Sequence, residues 1–163
     1  MNDSASRDCG DLEIRIARDG SWFYRESSIN RMALVRLFSA VLERDADGVY
    51  WLATPAERGR ITVEDAPFIA VSLAVENPGP QQALIFRTNV DDIVTLGEAH
   101  GLRIAEEPAT RTPLPYILVR DRLEARLARP VFYELVEMAR EERVGGRDRF
   151  GVWSNGKFFP LDT

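Results

Sequence analysis

Two prolines stand within four residues at Asn77-Pro78-Gly79-Pro80. Proline fixes φ and lacks a backbone donor, so no helix or central strand can run through this stretch. The chain has to reverse there. Apolar runs flank the reversal, APFIAVSLAVE before it and QQALIFRTNV after it, and together they are expected to form a β-hairpin. The pattern recurs along the chain. In LEIRIARDGSWFYRE, Leu12, Ile14 and Ile16 alternate with polar positions, and Asp19-Gly20 suits a tight turn with positive φ. Trp22 and Tyr24 share one face of the return strand. RFGVWSNGKFFPL repeats the device with Asn155-Gly156, and VYWLATP, GRITVED and PYILVRD supply further short strands.

Two segments have helical spacing instead. SSINRMALVRLFSAVLERDADG places Leu34, Leu37, Phe38, Val41 and Leu42 on one stripe, with Ser28 or Asn30 as cap and Asp47-Gly48 as stop. ARPVFYELVEMAREE starts with Pro130 in its first turn, carries Val131, Leu135 and Met138 on one face, and is closed by Gly145-Gly146. The helices resemble each other when Arg31 is aligned with Arg129 and Leu37 with Leu135, and each leads to a short aromatic strand. An internal duplication is therefore expected. The fold class is α+β: two small related halves, antiparallel sheets each with one main helix. Residues 1–9 are expected as a disordered tail, 10–76 as the N-terminal half and 77–163 as the C-terminal half, packed as one compact unit.

Composition removes several chemistries. The net charge of −5 argues against nucleic acid. Cys9 is the only cysteine, so no intramolecular disulfide or cysteine zinc site can form. His100 is the only histidine, which excludes a His-rich metal site, and between Gly97 and Gly101 it is expected in a solvated loop. No metal or cofactor is expected. The polar N-terminus and the lack of an 18-residue apolar run point to no membrane span and a cytoplasmic location.

The remaining candidates are carboxylates, arginines and aromatics. Glu64 and Asp65 are neighbours in a strand-like run, so their side chains point to opposite faces unless the chain bends. Pro67 supplies a reason for a bend, and one carboxylate is then expected to cap a backbone N–H or pair with an arginine. Thr88, Asn89, Asp91 and Asp92 crowd the end of a strand in FRTNVDD, a composition suited to a turn. Arg31 and Arg129 begin the two helices, where positive charge is locally unfavourable and calls for a carboxylate or an anionic ligand. Arg87 and Arg120 lie near strand ends. RVGGRDR follows a helix and lacks the Gly-Lys-Ser/Thr ending of a phosphate loop.

Five stretches, GDLEIRIARDGSWFYRESSI, VEDAPFIAV, FRTNVDD, RPVFYELVE and GVWSNGKFFPL, resemble in order an uncharacterised bacterial family labelled only as a domain of unknown function, DUF1285. The likeness spans Gly10 to Leu161, with variable spacing around Pro78, and includes no catalytic motif. It implies a duplicated core, a C-terminal half loosely like a pleckstrin-homology domain, and a cleft between the halves suggested for a nucleotide-like ligand and a signalling role. The resulting expectation is a ligand-binding or regulatory module for a small anionic ligand. Arg31, Arg87, Arg120 and Arg129 would hold its charge, Trp22 or Trp153 would stack on it, and Glu64, Asp65 and Asn89 would orient or contact it. No catalytic residue is assigned. The alternatives are a protein-interaction adaptor without a ligand pocket, and a metal-dependent hydrolase using Asp91 or Asp65.

Overall fold

The structure is a computed structural model that describes residues 7–162. The tail expected over residues 1–9 falls partly outside that range, but Arg7, Asp8 and Cys9 already belong to the first strand. The chain divides into two compact units, one running to Pro67 and including Asp121–Leu123, the other comprising Phe68–Arg120 and the residues from Glu124 onward. The boundary falls at Pro67, not at 76/77. The Pro78-Gly79-Pro80 reversal is a hairpin turn inside the second unit, since the strands it joins pair antiparallel from Leu73↔Phe86 to Glu76↔Ala83.

In the first unit, β1 (Arg7–Ile16), β2 (Trp22–Tyr24) and β3 (Ser27–Ser28) precede helix α1 (Met32–Ala40). The strands β4 (Leu42–Arg44), β5 (Tyr50–Ala53) and β6 (Glu57–Val63) follow it. They form one sheet in the order β3-β2-β1-β6-β5-β4. Its core holds Ile14, Ile16, Trp22, Leu42, Trp51 and Ile61, all buried. Phe38 of α1 stacks on Trp22 of β2 with ring centroids 6.0 Å apart. The hairpin at Asp19-Gly20 is looser than expected: five residues separate β1 from β2, Ala17 N–H donates to the Ser21 carbonyl, and Gly20 takes φ 90°. At Gly59 a Cβ would overlap the Leu12 side chain, so glycine lets β1 and β6 approach.

In the second unit, β7 (Phe68–Glu76), β8 (Ala83–Thr88), β9 (Ile93–Thr95), β10 (Leu102–Glu106), β11 (Pro113–Arg120) and β12 (Leu123–Leu127) form a sheet ordered β10-β11-β12-β7-β8-β9. Helix α2 (Arg129–Glu137) then leads into a separate sheet of β13 (Arg140–Val144), β14 (Arg147–Ser154) and β15 (Lys157–Pro160).

The two large sheets have the same topology. Read from β9, the second runs β9-β8-β7-β12-β11-β10, which repeats the first strand for strand. In both, the first strand pairs with the sixth in parallel, β1 with β6 and β7 with β12. The sheets are therefore mixed, not purely antiparallel, because two antiparallel meanders meet at a parallel seam in each. The units are related α+β halves, but the helices mark a different repeat. α1 sits between the third and fourth strands of its sheet, whereas α2 follows the sixth. The resemblance between α1 and α2 extends instead to the three-stranded meander after each. Its register also differs from the alignment of Leu37 with Leu135, since Leu37 is 62% exposed and Leu135 fully buried. The buried faces match when Val35 is set against Val131 and Ser39 against Leu135.

Both helices are shorter than their sequence stripes. Residues Leu42–Arg44 pair with Leu52–Tyr50, so sheet formation overrides helical spacing there. Arg140–Val144 likewise pairs with Gly151–Arg147, and Gly145-Gly146, with φ of 60° and 80°, forms a two-residue hairpin turn in place of a helix stop. The N-cap of α1 is Arg31, not Ser28 or Asn30. Ser28 lies in β3 and bonds the Asn30 side chain instead.

The small sheet is stitched to β8 and the end of β9 by polar groups, of which Ser154 is buried. Ser154 Oγ accepts from Leu84 N–H at 2.9 Å and donates to the Leu96 carbonyl at 2.7 Å. Asn155 N–H donates to the Gln82 carbonyl at 3.0 Å, and Gln82 Nε2 donates to the Trp153 carbonyl at 2.9 Å. The last strand is pinned by Asp162, which accepts from Arg149 Nε at 2.8 Å and Phe150 N–H at 3.0 Å. Those donors, the guanidinium first, hold its carboxyl below the usual carboxylate range.

Ser154→Ala leaves a buried N–H and a buried carbonyl without a partner. It is expected to destabilise the protein by about 2–6 kcal/mol in urea unfolding, at about 1–3 kcal/mol for each of the two orphaned groups; a change under about 0.5 kcal/mol would show the seam to be dispensable. Because the Asp162 pKa is depressed on folding, its contribution is present above the unfolded value and is lost as pH falls below about 4. Asp162→Asn should therefore melt below the native protein at pH 7, and the gap should close in acid.

Candidate functional site

The sequence-derived site residues divide between the units. Trp22, Arg31, Glu64 and Asp65 lie in the first; Arg87, Asn89, Arg120, Arg129 and Trp153 lie in the second. Trp22 is 2% exposed and belongs to the core. Its indole N–H meets no acceptor among the described residues. Arg31 and Arg129 are exposed at their helix starts, where water screens the unfavourable dipole interaction and no anion is required. The chain does bend after β6. Glu64 accepts from Arg15 Nη1 at 2.6 Å and from Arg18 N–H at 3.1 Å, which ties the β1–β2 loop to the end of β6 and keeps its carboxyl below the usual range. Asp65 is half-buried in the same bend.

Arg87, Asn89 and Arg120 come together at the β8–β9 turn, but as a self-compensated structure. Arg87 pairs with Asp91 at 3.0 Å and Arg120 with Asp92 at 3.5 Å. Asn89 exchanges two hydrogen bonds with the backbone of Ile69, and Thr88 Oγ1 accepts from Val90 and Asp92 N–H. Carboxylates engaged by arginines in this way are poor metal ligands. Among the described residues no group of three or more His, Cys, Asp or Glu side chains converges as a metal site would require. His100 is half-buried, with Nδ1 2.9 Å from the Leu118 carbonyl, so its loop is anchored and not freely solvated.

Trp153 lines a groove. That groove lies within the second unit, has a volume of about 570 Å³, and is bounded by Pro78, Gly79, Pro80 and Gln82 on the hairpin side and by Met138, Arg140, Glu142, Gly151 and Trp153 on the other. Its size is in the range that holds small molecules. Glu142 Oε1 accepts the Trp153 indole N–H at 3.0 Å, and Phe158 packs behind the ring at 5.5 Å. The indole is thereby fixed at its edge and backed by an aromatic, and it stays 37% exposed. Gly151 forms part of the floor. A Cβ there would collide with the Phe159 carbonyl and come within 2.8 Å of Phe158 Cζ. Arg140 has no side-chain partner among the described residues. Sequence spacing does not single out Arg140 and Glu142, because AREE continues the helical pattern of α2; REERV ahead of Gly-Gly is instead the outgoing strand of a hairpin, and its alternation puts both residues on one face.

Comparison with known proteins fits this anatomy. The N-terminal domain model of DUF1285 matches residues 4–66 and its C-terminal domain model matches residues 67–161, so the two domains meet where the compact units part. No curated protein matches the sequence. A crystallised DUF1285 family protein from Silicibacter pomeroyi DSS-3 is 46% identical, with a TM-score of 0.89 over 97% of this chain and 84% of that one. Another from Shewanella baltica OS155 is 25% identical, with a TM-score of 0.60 over 78% of this chain and 91% of that one. With both domains matched in order and a solved relative sharing nearly the whole fold, the chain belongs to the DUF1285 family.

Proposed function

We propose that the protein is a ligand-binding module, and that the groove of the second unit takes a small molecule carrying an acidic group. The observation that carries this reading is an unpartnered guanidinium, Arg140, sharing a groove of about 570 Å³ with the exposed, rigidly held indole of Trp153. A guanidinium without a protein acceptor is suited to bidentate recognition of a carboxylate or phosphate. An indole fixed at its edge offers its face to a flat or apolar body at little entropic cost. The prolines of the β7–β8 turn form a stiff opposite wall. A nucleotide is one ligand with this combination of groups. The groove weighs against a pure interaction adaptor, which needs no pocket of ligand size.

Trp153 is also the reporter, since it is 37% exposed while Trp22 and Trp51 are 2% and 7%. Titration with nucleotides, sugar phosphates and small carboxylates is expected to quench its fluorescence for at least one class. Arg140→Gln should weaken that binding about tenfold, the loss of one charge-assisted hydrogen-bonding group. A panel that leaves the fluorescence unchanged, or binding that is indifferent to Arg140→Gln, would refute the reading.

A further inference from the structure

Resting on that reading, we infer that the ligand is a zwitterion, with an acidic group for Arg140 and an ammonium group for Glu142. The two side chains stand two residues apart on one face of β13, so their stems are about 7 Å apart along the strand. Both line the same groove, and yet they do not pair with each other. Glu142 is drawn aside by the Trp153 indole N–H, which occupies Oε1 at 3.0 Å. Its remaining acceptor capacity has no donor among the described residues. Opposite charges this close on one strand face would ordinarily be free to neutralise one another. Here the indole engages Glu142, and the groove presents a carboxylate held by the indole N–H together with an exposed guanidinium on the same strand face.

A purely anionic ligand would satisfy Arg140 and meet repulsion from Glu142. A purely cationic one would reverse the problem. A molecule bearing both groups, separated by a short apolar segment, satisfies both side chains at once. Its carboxylate accepts from the Arg140 guanidinium, and its ammonium donates to the free Glu142 oxygen. The apolar segment lies over Met138 and Pro80, which need no hydrogen bonds. Two sources share this chemistry: a free ω-amino acid and the two ends of a short peptide.

The test uses the full chain and four probes, 5-aminopentanoate, pentanoate, pentylamine and dialanine, each followed by Trp153 quenching. 5-Aminopentanoate should bind about tenfold more tightly than pentanoate or pentylamine, the value of one added charge-assisted contact. Glu142→Gln keeps an oxygen for the indole N–H, and it should erase the advantage over pentanoate while leaving pentanoate binding no weaker. Dialanine binding as tightly as 5-aminopentanoate would assign the site to peptide ends, and weaker binding would assign it to free amino acids; either is consistent with the inference. Equal binding of 5-aminopentanoate and pentanoate overturns the zwitterion and leaves the acidic-ligand reading standing. Quenching by pentylamine alone, or by none of the four probes together with none of the nucleotides, sugar phosphates and carboxylates, overturns both.

Discussion

The parallel seam in each large sheet is the constraint on which the architecture depends. Antiparallel neighbours can be joined by a few turn residues, but parallel neighbours need a crossover long enough to bring the chain back to its starting end. Between β1 and β6 that crossover is two hairpin strands, a helix and two more strands. Between β7 and β12 it is four strands and their turns. Once β1 lies beside β6 and β7 beside β12, every other strand has only the outer edges left, and the order β3-β2-β1-β6-β5-β4 follows. The local features serve this pairing. Gly59 lets β1 come close against Leu12, and the bond from Ala128 N–H to the Ala70 carbonyl at 3.0 Å starts α2 against β7.

The small sheet is held by different means. It shares no ladder with the large one and is joined to it by a few side-chain and backbone bonds at its turn end, with Ser154 fully buried at the centre. Such a seam fixes β14 near Ser154 and leaves β13 as an edge strand. The groove opens on that outer side, bounded by the stiff Pro78-Gly79-Pro80 turn. A binding surface on this edge can keep its charged side chains in water without leaving any backbone group of the core unsatisfied.

Much of this was legible in the sequence. The Asn77-Pro78-Gly79-Pro80 reversal, the Asn155-Gly156 hairpin with φ of 53° and 80°, the bend ahead of Pro67 and the placing of Pro130 in the first turn of the second helix all follow from backbone chemistry within a few residues. The misreadings share one cause. Leu42 fits a helical stripe as well as it fits a strand, Arg140 and Glu142 continue a helical segment as readily as they start a strand, and only pairing with residues further along the chain decides between them. The parallel seams were invisible for the same reason, since no local pattern distinguishes a strand that pairs with its successor from one that waits for a partner far away. The arginines were overread. Arg87 and Arg120 resemble a phosphate cluster in sequence, but their neutralising aspartates lie in the intervening turn.

The distance spanned by the second seam governs how the protein comes into being on the ribosome. β7 pairs with β8 as soon as the proline turn is made, but its other edge faces β12, whose contacts run through Ala125, Arg126 and Leu127. Until those residues emerge, the edge of a strand carrying Phe68, Ile69 and Ala70, all buried in the finished fold, stands open to any passing strand. Non-local pairing of this kind is slow and vulnerable to aggregation. A nascent chain interrupted between Thr88 and Leu127 therefore has this edge of β7 still unpaired.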